Sequence, residues 1–144
     1  MALDAFERGI VDMIPALRGF ARTLTRNPTL AEDLAQETLE RALAKRHLYD
    51  GESALKPWLF RIMKNLNVER MRSESRSNVS LGVSESEDGE RVAGRDVHGA
   101  WMAIRDMQKL IDGLDVDQRN VVMMVGVDEM SCAECARVAG VSVG

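Results

Sequence analysis

Apolar residues recur along this chain at the spacing of helix faces. Leu3, Phe6, Ile10, Met13, Ile14, Leu17, Phe20, Ala21 and Leu24 fall three and four residues apart, which predicts an amphipathic helix over residues 3–25. Pro15 lies inside it. A proline there removes a backbone donor and clashes one turn back, so a kink is expected, or a short helix followed by a second that starts at Pro15. Arg26-Asn27-Pro28 reads as a turn. Thr29-Leu-Ala-Glu32 has the form of a capping box opening a helix whose buried stripe is Leu30, Leu34, Leu39, Ala42 and Leu43. Asp50-Gly51 marks a turn within residues 47–53. Leu55, Trp58, Leu59, Ile62, Met63 and Leu66 form a third stripe, with Pro57 in the first turn, where proline is tolerated.

The pattern breaks over residues 73–99, which are rich in Ser, Gly and charge. Such a stretch buries too little apolar surface to offset ordering entropy and reads as a flexible linker. Periodicity resumes near Ala100 with Trp101, Ile104, Met107, Leu110, Ile111 and Leu114. Asp115-Val-Asp-Gln118 forms a second capping box, leading into Val121, Val122, Met124 and Val125. Ser131-Cys-Ala-Glu134 is a third, leading into Val138, and Ala139-Gly140-Val141-Ser142 closes that helix. Helix, helix, short helix and glycine turn is the front of a helix-turn-helix. Its recognition helix would begin where the sequence ends, at Gly144. The predicted fold class is therefore all-α. Two small helical domains, residues 1–76 and 99–144, flank a linker over 77–98.

Composition sharpens this in three ways. Aromatics make up 4% of the residues, against nine methionines, so the cores are expected to be aliphatic. The net charge of −4 hides an asymmetry. Residues 41–76 hold nine Lys/Arg against four acids, a local +5, which leaves −9 for the rest. A basic segment in an acidic protein suggests a polyanion partner. Finally, no apolar run approaches the roughly 18–20 residues of a membrane span, and the early acids of MALDAFERGIVDMI do not suit a signal peptide. A cytoplasmic protein without membrane contact is expected.

Cys132 and Cys135 lie one turn apart. A zinc site normally needs four ligands, and His47 and His98 lack the spacing to complete one. A redox motif normally opens a helix after a strand, and no strand pattern is present. Ordinary helix cysteines are expected, with no metal and no cofactor. No nucleophile–base pair or phosphate loop marks an enzyme.

Two blocks carry a resemblance. Asp33-Leu-Ala-Gln-Glu-Thr-Leu-Glu-Arg-Ala-Leu43 and Trp58-Leu-Phe-Arg-Ile-Met-Lys-Asn65 resemble region two of extracytoplasmic-function sigma factors. Leu114-Asp-Val-Asp-Gln-Arg119 and the stretch from Ser131 to Gly144 resemble the start of their region four, cut before the recognition helix. Ile14-Pro-Ala-Leu-Arg-Gly-Phe-Ala-Arg22 is similar to the entry helix of the general-stress-response branch. The resemblance implies a region-two helical bundle and a truncated region-four helix-turn-helix. It implies that Asp33, Gln36, Glu37 and Arg41 dock on the clamp helices of the largest subunit of RNA polymerase core. It also implies that Lys56, Arg61, Lys64, Asn65 and Arg72 contact the −10 element of promoter DNA. Lysine and arginine suit phosphates, and Asn65 suits a base edge. The loop 47–53 would lie near a flipped-out base, and regulation by an anti-sigma protein is implied. Without the recognition helix, specific reading of the −35 element is not expected. Trp58 could stack on a base, but its register with Leu55 and Ile62 places it in the core. The competing function is a sigma-factor mimic that sequesters an anti-sigma factor without binding DNA.

Overall fold

The computed structural model describes residues 2–77 and 98–142. Its described residues are all-α. The helices are α1 (Ala5–Thr25), α2 (Pro28–Ala44), α3 (Leu55–Ser77), α4 (His98–Asp112), α5 (Val116–Gly126) and α6 (Cys132–Ala139), with a 3-10 turn over Arg46–Leu48. The expected linker falls almost wholly outside the described residues.

Residues 5–25 form one helix straight through Pro15, so the two-helix alternative for this stretch does not hold. The reason lies in which side the proline occupies. Pro15 and Val11, whose carbonyl loses its partner, are both exposed. Ile10, Leu17, Phe20 and Ala21 are buried. The freed carbonyl therefore lies on the solvent side, where water can replace the missing donor. The helix opens on a capping box that the sequence reading missed. Asp4 Oδ1 accepts from the Glu7 N–H at 2.9 Å and Glu7 Oε2 accepts from the Asp4 N–H at 2.9 Å.

The cap of α2 is Asn27, not Thr29. Asn27 Oδ1 accepts from the N–H groups of Thr29 and Leu30 at 3.0 and 3.1 Å, and Pro28 takes the first helical position, which its fixed φ suits. Glu32, released from the expected box, pairs instead with Arg18 at 2.8 Å. Asn27→Ala is expected to lower stability by about 1 kcal/mol, with Thr29→Ala near neutral. Urea unfolding of the two variants would separate the assignments, and the reverse order would restore Thr29 as the cap.

The contact face of α2 is built from Ala31, Leu34, Ala35, Thr38 and Ala42. Leu30 and Leu43, expected inside, are 43% and 45% exposed. Small residues along this face let α1 and α3 approach closely, and the buried Thr38 hydroxyl is satisfied by donating to the Leu34 carbonyl at 2.7 Å. On α3 the fully buried positions are Leu59, Phe60 and Met63, with Leu66 nearly so. Phe60 was absent from the expected stripe. It stacks on Phe20 with ring centroids 4.3 Å apart. Trp58 is half-buried and sits 5.3 Å from Tyr49 and 6.1 Å from Phe6, centroid to centroid, the packing role its register implied.

The second half does not stand apart. Met124, Met130, Cys135 and Val138 are buried in the same apolar cluster as the α1–α3 core. α5 packs on α1, and α6 packs on α3. The Asp115–Gln118 and Ser131–Glu134 capping boxes form as expected, and Gly140 closes α6 at φ 72°, a conformation that favours glycine. The α4 stripe is different. Met102, Ile104 and Met107 are each 56% exposed and Leu110 is 74% exposed. α5 and α6 turn apolar residues toward α1 and α3 and leave this face of α4 uncovered. Val121, Val122 and Val125 are exposed for the same reason, and α5 buries Met124 and Asn120 instead.

Candidate nucleic-acid and partner interface

Two faces carry the residues singled out in the sequence, one on α2 and one on α3. On α2, Asp33 and Gln36 are exposed. At three-residue separation they share one surface, and Gln36 also lies 3.5 Å from Glu40 Oε1. Glu37 and Arg41 are half-buried and engaged with α3. Glu37 Oε2 accepts from Arg70 Nη2 at 2.6 Å and from Arg70 Nε at 3.2 Å. Arg41 Nη1 reaches Glu69 Oε2 at 3.2 Å, and Arg41 lies 3.9 Å from Glu37. The four expected docking residues thus divide into an outward pair and an ion-pair network that fixes α2 against α3. The pairs that reach across to α3 join residues 28 and 33 positions apart, which is why no local pattern announced them.

On α3 the expected residues also divide. At about 100° per residue, Arg61, Asn65 and Arg72 fall within about 40° of one another around the helix, and all three are exposed. Together they make a cationic stripe with one amide in it. Arg61 also lines a small cleft with Ser53, Pro57, Trp58 and, from α6, Arg137. Sequence reasoning missed Arg137, because only the packing of α6 on α3 places a second guanidinium beside Arg61. Lys56 and Lys64 point elsewhere. Lys56 Nζ donates to the Asp128 backbone carbonyl at 3.3 Å, and Lys64 Nζ donates to the Ala139 carbonyl at 3.4 Å. Both are half-buried against the second unit.

The loop before α3 is held by Asp50, whose Oδ1 accepts from the N–H groups of Glu52 and Ser53 and from the Ser53 hydroxyl. The Ser53 N–H, then its hydroxyl and the Glu52 N–H, hold the Asp50 carboxyl below its ordinary range. Gly51 beside it has φ 75°, which only glycine adopts without strain.

Asp128 behaves oppositely. Burial pushes its carboxyl up, and the nearby Lys56 charge opposes this. A carboxylate with a raised folded-state pKa favours the folded state when protonated, and that contribution is lost as pH rises through the folded value. Asp128→Asn is therefore expected to raise the melting temperature at neutral pH. The gain should shrink as pH falls below the raised pKa toward the ordinary value of 3.8. A gain of equal size at every pH would contradict the assignment.

Cys132 is exposed and Cys135 buried. Burial, then the neighbouring Cys132, raises the Cys135 thiol pKa. Among the described residues no group of three or more His, Cys, Asp or Glu side chains is placed to hold a metal. No described helix is long and apolar enough to cross a membrane.

The first three helices thus present a polar ridge on α2 and a cationic stripe on α3. Residues 10–64 match the family model described as the Sigma2 domain of PhyR. The sequence is 32% identical, over 98% of this chain and 76% of the relative, to the ECF RNA polymerase sigma factor EcfG of Rhodopseudomonas palustris. It is 27% identical to the RNA polymerase sigma factor CarQ of Myxococcus xanthus, over 99% of this chain and 81% of that protein. The solved structure of the sigma factor RpoE in complex with the anti-sigma factor NepR from Bartonella quintana covers 97% of this chain. It overlays at a TM-score of 0.72 with 30% identity and matches over 86% of its own length. The chain belongs to the ECF RNA polymerase sigma factors.

Proposed function

We propose that this sigma factor binds RNA polymerase core through the outer ridge of α2 and directs it to promoters whose −10 element is held by α3. Residues 1–76 act as region two, 77–98 as the linker and 99–144 as region four. Asp33 and Gln36 make the direct contacts with the clamp helices of the largest subunit, while Glu37 and Arg41 hold that ridge in place. Arg61 and Arg72 take phosphates and Asn65 reads a base, with Lys56 and Lys64 joining them in the engaged state. The observation that carries this reading is the exposed Arg61–Asn65–Arg72 stripe beside a separate polar ridge. One region can thereby serve polymerase and DNA at the same time. The protein acts in the cytoplasm, is not itself an enzyme, and is regulated by an anti-sigma protein. A mimic that only sequesters such a protein would have no use for the cationic stripe.

The test is binding of the labelled chain, free of any anti-sigma protein, to purified RNA polymerase core. Asp33→Lys with Gln36→Ala is expected to weaken binding about tenfold, equivalent to about 1.4 kcal/mol, because a reversed charge faces an interface selected for complementarity. Binding as tight as the parent's would remove the ridge from the interface.

A further inference from the structure

We propose that the second unit latches onto the −10-binding helix, and that promoter DNA and this closure compete for the same two ammonium groups. The inference rests on the promoter-binding role proposed for α3. Lys56 and Lys64 come from a helix expected to hold DNA, yet both are occupied from within the chain. Lys56 donates to the carbonyl of Asp128, in the loop after α5, and Lys64 donates to the carbonyl of Ala139, the last residue of α6. Carbonyls at a helix C-terminus lack intrahelical partners and carry the negative end of the macrodipole. Lys64 thus caps the C-terminus of α6, and Lys56 holds the loop carbonyl that follows α5. Each lysine has one ammonium group, and moving it to a phosphate withdraws a cap from the second unit.

The closed interface is built to part. Between α1, α3, α5 and α6 lies a cleft of about 300 Å³ lined by Phe20, Lys64, Asn120, Met124 and Val138. In it the Asn120 Oδ1 is buried with no hydrogen-bond partner among the described residues. A buried acceptor left unpaired opposes closure, and solvation on opening relieves that cost. On the outer side the units are joined by the Arg26–Asp112 pair, at 2.9 Å and half-exposed on both sides, which contributes little. Closure therefore depends on the apolar contacts of Met124, Met130, Cys135 and Val138 together with the two lysine caps. DNA binding must begin by opening it.

The test uses the full chain with nitroxide labels on Cys132, exposed on α6, and on a Gly19→Cys substitution, at an exposed site on α1 with open space around it, in a Cys135→Ala background that keeps the buried site apolar and serves as the reference for every comparison. The expected result without DNA is one narrow distance distribution. Saturation with short mixed-sequence single-stranded DNA should lengthen and broaden it, and Lys56→Ala with Lys64→Ala should broaden it with no DNA present. Independently, Val138→Ala, which removes packing between α6 and the rest of the fold and changes no stripe residue, should raise DNA affinity about two- to tenfold. The apparent Kd scales inversely with the fraction of competent, open chains. Should Val138→Ala unfold α6, the distance still lengthens and the affinity still rises. A distribution left unchanged by the double lysine substitution would overturn the latch, as would DNA bound at saturation with the narrow distance retained. If no form bound DNA, the promoter role would fall, and with it the competition. The response of the double lysine variant would still report whether the lysines hold the units together.

Discussion

Phe60→Ala should destabilise the protein by about 3–5 kcal/mol, the range for emptying an aromatic site in a packed core. Phe60 has no exposed surface and lies flat on Phe20 at 4.3 Å with an interplanar angle of 3°. The pair joins α1 to α3, and Phe20 also lines the cleft shared with α5 and α6. Truncation therefore opens a void at the point where all parts of the fold meet. Small domains are stable by about 5–15 kcal/mol, so one substitution removes a large share and lowers the melting temperature by roughly 10–20 °C. Phe60→Leu keeps most of the volume and should lose much less. Chemical denaturation monitored by helical signal gives the number. A loss below about 1 kcal/mol for the alanine variant would mean that the Phe20–Phe60 stack is not the centre of the core.

Arg61→Ala combined with Arg72→Ala should weaken binding to single-stranded −10 DNA by about tenfold at moderate salt. It should also flatten the salt dependence by about 1.4 in log–log slope, since each phosphate contact on a single strand contributes about 0.7. Both guanidiniums are exposed on one stripe, and neither has an intramolecular ion pair among the described residues. Binding therefore breaks no internal contact of theirs. Lys64→Ala with Arg61→Ala should flatten the slope by a similar amount but cost less affinity, because Lys64 must first leave the Ala139 carbonyl. Asn65→Ala should alter sequence preference and leave the slope alone, as a base contact rather than a phosphate contact does. An unchanged slope in the Arg61/Arg72 variant would place DNA elsewhere on the molecule.

These expectations show where the sequence was legible. Periodicity and capping boxes located the α-helices among the described residues, and the caps at Asp115 and Ser131 were readable because a capping box is a local, four-residue device. Thr29–Glu32 had the same form and was misread. Asn27 stands just ahead of it with a stronger cap, and Pro28 fixes the start of the helix one residue earlier. The buried stripe of α2 was displaced by part of a turn, and that of α3 held but omitted Phe60. A stripe drawn through the largest apolar residues favours Leu30 and Leu43, whereas close helix packing selects Ala31, Ala35 and Ala42. Among the site residues, spacing and resemblance pointed to α2 and α3. They did not reveal that Lys56, Lys64, Glu37 and Arg41 have partners 28 to 75 residues away, or that α6 brings Arg137 beside Arg61. The stripe of α4 gave its apolar face but not what covers it, as an amphipathic pattern does.

As a sigma factor, this chain should program RNA polymerase. The most direct test is transcription reconstituted from purified core, fragmented bacterial DNA and the chain freed of any anti-sigma protein, with transcript start sites mapped by sequencing. The account predicts discrete starts that depend on the chain, share a sequence at −10 and weaken together in the Arg61/Arg72 variant. A start-site pattern identical with and without the chain, from core that does not retain it, would contradict the claim.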